Sequence, residues 1–128
     1  MDSIKIDATE RSPAIDFDFD GNVFQISGES YPEDVTAFYG SLMETLEAHL
    51  AEQKGATISF TFSLIYFNSS TAKILMGLFE MFDEAGENND VTVTWNYEAE
   101  DDNMQEMGEE FGEDLENAKF VLNEVAAN

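Results

Sequence analysis

The chain predicts a mixed α/β domain: a mostly parallel sheet of about five strands, with its helices mainly on one face, in the order β-β-α-β-α-β-α-β. Three observations carry that expectation. Segments that alternate apolar and polar residues take turns with segments whose apolar residues recur every three or four positions, and alternating strands and helices build a parallel sheet. Several strand segments have one apolar and one polar side rather than an unbroken apolar run, so one sheet face should carry the helices and the other should remain open. The length, 128 residues with 43% apolar content and 11 Phe, suits a single domain over 1–128 with a substantial core, and no repeat or linker divides it.

Residues 1–12 are polar and should form a loose N-terminal arm or a short edge segment. AIDFDFDGNVFQIS, 14–27, alternates around Asp20-Gly21 and reads as a hairpin. GESYPED, 28–34, places Pro32 at a first helical position with acids beside it. Val35, Phe38, Leu42, Leu46 and Leu50 then define an amphipathic helix over 33–53, closed by Lys54-Gly55. ATISFTFSLIYF, 56–67, is the clearest strand, with Ile58, Phe60, Phe62, Leu64 and Tyr66 on one side and Thr57, Ser59, Thr61 and Ser63 on the other. A second helix over about 70–85 carries Ile74, Leu75, Leu78, Phe79 and Phe82 and stops near Gly86. VTVTWNY, 91–97, points Val91, Val93, Trp95 and Tyr97 one way. Met104, Met107, Phe111 and Leu115 predict a third helix inside an acidic stretch, and KFVLNEV, 119–125, predicts the last strand.

Composition narrows function. There is no cysteine, which removes disulfides, thiolate zinc sites and thiol nucleophiles. The net charge is −23, the basic residues are Lys5, Arg11, Lys54, Lys73 and Lys119, and none falls between 74 and 118. A nucleic-acid binder needs a cationic patch, and an anionic membrane would repel this chain, so neither partner is expected. The acidity reads either as solvation, as in a saline cytoplasm, or as an acidic face matched to a basic partner. The N-terminal stretch has no basic head followed by an apolar core, and no apolar run approaches the roughly 20 residues needed to span a bilayer. A cytoplasmic protein without membrane insertion is expected.

Catalytic and metal motifs are weak. In DFDFDGNVF, Asp16, Asp18, Asp20, Gly21 and Val23 match five positions of a calcium-binding EF-hand loop. The twelfth position, however, is Ser27 rather than a bidentate carboxylate, and the flanking helices are missing. Alternation of Phe17 and Phe19 with the acids is better explained by a half-buried strand. His49 is the sole histidine, late in the first helix, where a half-exposed structural role outweighs catalysis. Neither GxGxxG nor GxxxxGK[ST] occurs, so no cofactor is expected.

The remaining feature is IYFNSSTAK, 65–73, where a strand hands over to a helix through three consecutive hydroxyls. One of Asn68 or Ser69 suffices as an N-cap, worth about 1 kcal/mol. The stretch supplies four such residues, and a phosphoryl group there would meet unpaired N–H groups and the positive end of the helix dipole. Lys73, one turn after Ser69, could reach it.

These residues resemble a known family. The strand–Asn–Ser–Ser–helix junction is similar to the phosphorylation site of STAS domains. GESYPED at 28–34 and YFNSSTAKILMGLFE at 66–80 resemble more closely two segments of the SiaC family of bacterial biofilm-regulating phosphoproteins, which have a STAS-like fold. The resemblance implies a non-enzymatic partner switch. A dedicated kinase would phosphorylate the hydroxyl after the Asn, a PP2C-type phosphatase would remove the phosphate, and the unphosphorylated form would bind and activate a diguanylate cyclase, raising cyclic di-GMP. Carried over by position, the acceptor is Ser69, with Ser70 and Thr71 in reserve because the family typically has Thr there. Asn68 would shape the turn, in place of the Asp of ordinary STAS domains, and Lys73 would partly neutralise the phosphate. The docking surface would include Met76 and the Tyr31-Pro32 loop. Rival readings are an anti-sigma factor antagonist, an acidic cation-binding module and, more distantly, a His49-dependent hydrolase.

Overall fold

The computed structural model describes residues 3–126. These form β1 (Ile4–Ile6), β2 (Ala14–Asp18), β3 (Val23–Ser30), α1 (Val35–Glu52), β4 (Thr57–Phe67), α2 (Ser69–Ala85), β5 (Asp90–Glu98), α3 (Asp102–Glu113) and β6 (Lys119–Val125). The strands make one six-stranded sheet in sequential order, β1-β2-β3-β4-β5-β6. Pairings β1–β2 and β2–β3 are antiparallel, and β3 through β6 are parallel. The sheet therefore has one strand more than the sequence suggested, and its parallel part comprises four strands. Part of the expected loose arm is an edge strand, because Ile4 packs partly against the core opposite Phe17. Of the two expectations for 1–12, the short edge segment is the one realised at Ile4–Ile6.

Sequential order also fixes the layers. Each crossover between neighbouring parallel strands takes the right-handed path, so successive crossovers drop their helices on the same face. Phe24, Ile26, Ile58, Phe60, Phe62, Val91, Val93 and Trp95 are all buried there, against Leu42 and Leu46 of α1 and Leu75, Leu78 and Phe82 of α2. The opposite face carries Ser59, Thr61, Ser63, Thr92, Thr94 and Asn96, each partly exposed, with Asn96 Nδ2 donating to Ser63 Oγ at 3.0 Å. The two-faced sheet expected from the sequence is the one observed.

Four local readings change. Helix α1 begins at Val35, with Asp34 as N-cap accepting from the Ala37 N–H at 3.0 Å, so Pro32 stands outside the helix in the approach loop. A carboxylate that can accept an orphan N–H outcompetes a proline whose only merit is its preset φ. In β4 the alternation slips. Gly28 pairs with Leu64 but Glu29 pairs with Tyr66, so Ile65 is an extra residue, and an inserted residue reverses the faces of the residues after it. Tyr66 consequently points out at 49% exposure while Phe67 is buried. His49 is buried, not half-exposed, lying edge-on to Phe19 and Phe24 with Nε2 2.7 Å from Asn22 Oδ1. Burial lowers its pKa, with Glu52 opposing, which favours the neutral ring. Finally, α3 ends at Glu113 and turns Met104 and Gly108 inward, leaving Met107 exposed and Leu115 beyond the helix. Trp95 requires the gap at Gly108, since its indole N–H donates to the Met104 carbonyl at 3.0 Å.

Among the described residues no helix is long and apolar enough to cross a membrane.

Candidate functional site

The junction singled out by the sequence lies where β3 and β4 end together. Open parallel sheets expose functional surfaces at the carboxyl ends of their strands, where the connections to the helices are free to vary. Here Ser30 is the last residue of β3, paired with Phe67 of β4. The Asn68 N–H donates to the Ser30 carbonyl at 3.2 Å, holding the start of α2 against the end of β3.

Asn68 is the N-cap of α2. Its backbone is extended, with φ −93° and ψ 179°, and its side-chain oxygen accepts from the Thr71 N–H at 2.9 Å. Ser69 and Ser70 occupy the first two helical positions, and both are exposed. Helix geometry leaves N–H groups at these positions without intrahelical acceptors, so they face any anion placed there.

Thr71 differs. It is fully buried, its hydroxyl donates to the Ser30 carbonyl at 3.0 Å, and it also lies 3.0 Å from Ser30 Oγ. Ser30 Oγ is in turn 2.6 Å from the buried Tyr39 hydroxyl of α1. Because the Thr71 proton is committed to the carbonyl, the hydrogen bonds run in one sense: Tyr39 donates to Ser30 Oγ, and Ser30 donates to Thr71. Burial pushes the Tyr39 hydroxyl up to about 12, the bond with Ser30 acting against it, so Tyr39 stays protonated as that ordering requires. This relay ties α1, β3 and α2 together. Thr71 therefore presents no exposed hydroxyl, unlike Ser69 and Ser70.

Around the two free serines the surface is apolar. The Tyr31 ring meets the Tyr66 ring edge to face at 5.6 Å, and Ile65, Tyr66 and Met76 are 54%, 49% and 53% exposed. Lys73 is exposed one turn along α2 from Ser69. Tyr31 and Tyr66 thus lie at the carboxyl ends of β3 and β4, where α2 starts. Lys73 and Met76 follow Ser69 one and two turns along α2, and Pro32 is half-buried in the loop after Tyr31. Periodicity alone misses Ser30, Tyr39 and the outward turn of Ile65 and Tyr66. Gly28, at φ +103°, is the available signal for irregularity beside β4.

The aspartates of the hairpin do not assemble a cation site. Asp18 Oδ1 accepts from the Gly21 N–H at 3.1 Å, closing the turn. Among the described residues no group of three or more His, Asp or Glu side chains is arranged to hold a metal ion.

Comparison with known proteins gives consistent matches along nearly the whole chain. The family model for the SiaC family regulatory phosphoprotein matches residues 6–125. An uncharacterized protein of Pseudomonas aeruginosa (strain UCBPP-PA14) is 29% identical over 115 residues, covering 89% of this chain and 90% of that relative. The crystal structure of apo-SiaC from Pseudomonas aeruginosa superposes with a TM-score of 0.84 at 29% identity, covering 96% of this chain and 99% of the other. A chain in the crystal structure of the diguanylate cyclase SiaD in complex with its activator SiaC, also from Pseudomonas aeruginosa, superposes with a TM-score of 0.87 at 27% identity, covering 95% and 99%.

Proposed function

The chain belongs to the SiaC family of regulatory phosphoproteins, and from that premise we propose that it is a non-enzymatic partner switch whose phosphoacceptor is Ser69. A dedicated kinase transfers the γ-phosphoryl group of a nucleoside triphosphate to Ser69 Oγ, which loses its proton as the new O–P bond forms and the diphosphate leaves. A PP2C-type phosphatase hydrolyses that bond. The unphosphorylated form binds and activates a diguanylate cyclase, as the structural neighbour SiaC is the activator of SiaD.

One observation supports Ser69 above the rest. It is an exposed hydroxyl at the first position of a capped helix, directly after Asn68, on a surface rich in exposed apolar side chains. The positive end of α2 favours an anion there by about 0.3–1 kcal/mol, and Lys73 adds a cation one turn along the helix. A phosphate contributes roughly two negative charges and a tight hydration shell. On a surface that also exposes Ile65, Tyr66 and Met76, both must be stripped or avoided when a partner covers it. Release of the partner follows from desolvation rather than from a large rearrangement.

Intact-mass measurement after incubation with the cognate kinase and ATP should show a gain of one phosphate mapping to Ser69. Ser69→Ala should bind the cyclase irrespective of kinase, and Ser69→Glu should weaken binding by at least about tenfold, or 1.4 kcal/mol. If both variants bind like the parent, Ser69 is not the switch.

A further inference from the structure

Beyond Ser69 along α2 the surface changes character. Ser69 and Met76 lie on one stripe of the helix, about 10 Å apart over two turns. Past Met76 that stripe borders a cleft between α2 and α3, floored by Phe79 and Phe111 and flanked by Met76 and Leu115. The two floor rings pack at 5.4 Å and both rest on Trp95, so the floor is part of the aromatic core. Glu80, Asp83, Glu110 and Asp114 rim it, and no Lys or Arg occurs between 74 and 118. At about 240 Å³ the cleft is smaller than the roughly 300–1,000 Å³ of small-molecule sites. It suits inserted side chains of a macromolecule. Met76 lends one wall the adaptability of a flexible thioether.

We infer that this α2–α3 cleft is a docking groove for a cationic amphipathic helix of a protein partner, whose apolar stripe seats on Phe79 and Phe111 while its Lys or Arg residues meet Glu80 and Glu110. This rests on the reading of the chain as a protein-binding regulator and specifies the chemistry of what it binds. Complementarity supports such an occupant on two counts. Apolar residues spaced three and four apart on an incoming helix match a groove between two helices, and a rim of one sign selects the opposite sign and steers its approach. A second copy of this chain is a poor occupant, since it brings the same acidic rim. An anionic membrane or nucleic acid is repelled. The phosphoacceptor and the groove then act separately. The acidic rim attracts the helix and sets its register, while phosphate on Ser69 burdens the apolar end of the same surface, where desolvation dominates.

The test uses the full chain and a synthetic leucine–lysine helical peptide of about 18 residues, long enough for five turns, with a scrambled peptide of equal charge as control. The helical peptide should bind with an affinity that falls as salt rises, and it should shift the amide signals of Met76, Phe79, Phe111 and Leu115. Glu80→Lys with Glu110→Lys should weaken it at least about tenfold, whereas Glu44→Lys with Glu47→Lys, an equal charge change on exposed positions of α1, should change it by less than about threefold. Met76→Ser should weaken it without altering the salt slope. Equal losses from both charge-reversal pairs, equal binding of the scrambled peptide, shifts confined to the open sheet face, or a dimer that buries the cleft would each overturn the groove. The peptide measurement requires neither kinase nor cyclase. Failure here leaves the Ser69 reading standing, and a silent Ser69 leaves the groove standing.

Discussion

Removing one oxygen from Ser30 should cost more than its size suggests. Ser30 Oγ receives the Tyr39 proton at 2.6 Å and reaches Thr71 Oγ1 at 3.0 Å, inside a region where all three side chains are buried. Ser30→Ala leaves almost no cavity, but it strands the Tyr39 hydroxyl without an acceptor. A buried unsatisfied group costs about 1–3 kcal/mol. Thr71 keeps its bond to the Ser30 carbonyl, so its loss is smaller, and the whole change should reach about 2–3 kcal/mol. Tyr39→Phe removes the donor instead. Ser30 can still donate to Thr71, so only one neutral bond is lost, about 1 kcal/mol. The double variant contains no stranded hydroxyl and should fall well short of the sum, giving a coupling of about 1–2 kcal/mol. Guanidinium unfolding of the four proteins, followed through Trp95 fluorescence, measures the cycle. Free energies that add to within about 0.5 kcal/mol would refute the relay, because independent groups add and members of one network do not.

Asp83 offers a pH-dependent counterpart. Its carboxylate accepts the Glu116, Asn117 and Ala118 N–H groups at 2.7–3.0 Å, fastening the α3–β6 loop to α2. Burial raises its pKa, but the three backbone bonds outweigh it and hold the carboxyl below its ordinary value. A lowered carboxyl pKa gives stability that is present above the unfolded value near 4 and lost as pH falls through the folded one. Asp83→Asn should therefore be less stable by about 1–2 kcal/mol at pH 7, and denaturant midpoints should show the gap closing below about pH 4. A gap constant with pH would contradict the assignment. Gly108→Ala should destabilise, although alanine gains about 1 kcal/mol in helix propensity. The added Cβ would stand 2.4 Å from Trp95 Cδ1, and overpacking of about 1–3 kcal/mol plus strain on the indole bond to Met104 outweighs the gain. A variant more stable than the parent would show that Trp95 can yield.

The legible parts of the fold are those set by local periodicity. The alternating stretch 119–125 coincides with β6, Lys119–Val125, because clear breaks bound it. Helix α2 and strands β3 to β5 lie within a few residues of their expected positions for the same reason. The features that escape depend on pairing. A three-residue strand has too little sequence to separate an edge segment from a loose arm, so both stay open for 1–12, and pairing of Ile4–Ile6 with β2 decides between them. The outward turn of Tyr66 depends on an extra residue in β4 relative to β3, and no single strand carries its neighbour's register. That slip matters for the site. Perfect alternation would have buried Tyr66 and left Phe67 outside, and the apolar surface facing Ser69 would have lost the ring that Tyr31 packs against.

The three hydroxyls of the junction show where a finer reading of the same sequence is within reach. Chemically Ser69, Ser70 and Thr71 are near equivalents, so side-chain type does not say which can be modified. Helical phase separates them. Successive residues turn by about 100°, so burial of one commits those three, four and seven positions on. Leu75, Leu78 and Phe82 form the buried stripe of α2, and counting four residues toward the N-terminus from Leu75 reaches Thr71. Extending the apolar periodicity by that one turn therefore places Thr71 inside and its two neighbours outside, as observed. What that extension cannot supply is the partner for the buried hydroxyl. Ser30 lies forty-one residues earlier, and only the parallel pairing of β3 with β4 brings it there. The same logic gives a discriminating expectation: Thr71→Ser keeps the hydroxyl and should leave phosphate incorporation unchanged. Ser69→Ala should abolish incorporation outright if the exposed end of the stripe is where the kinase acts.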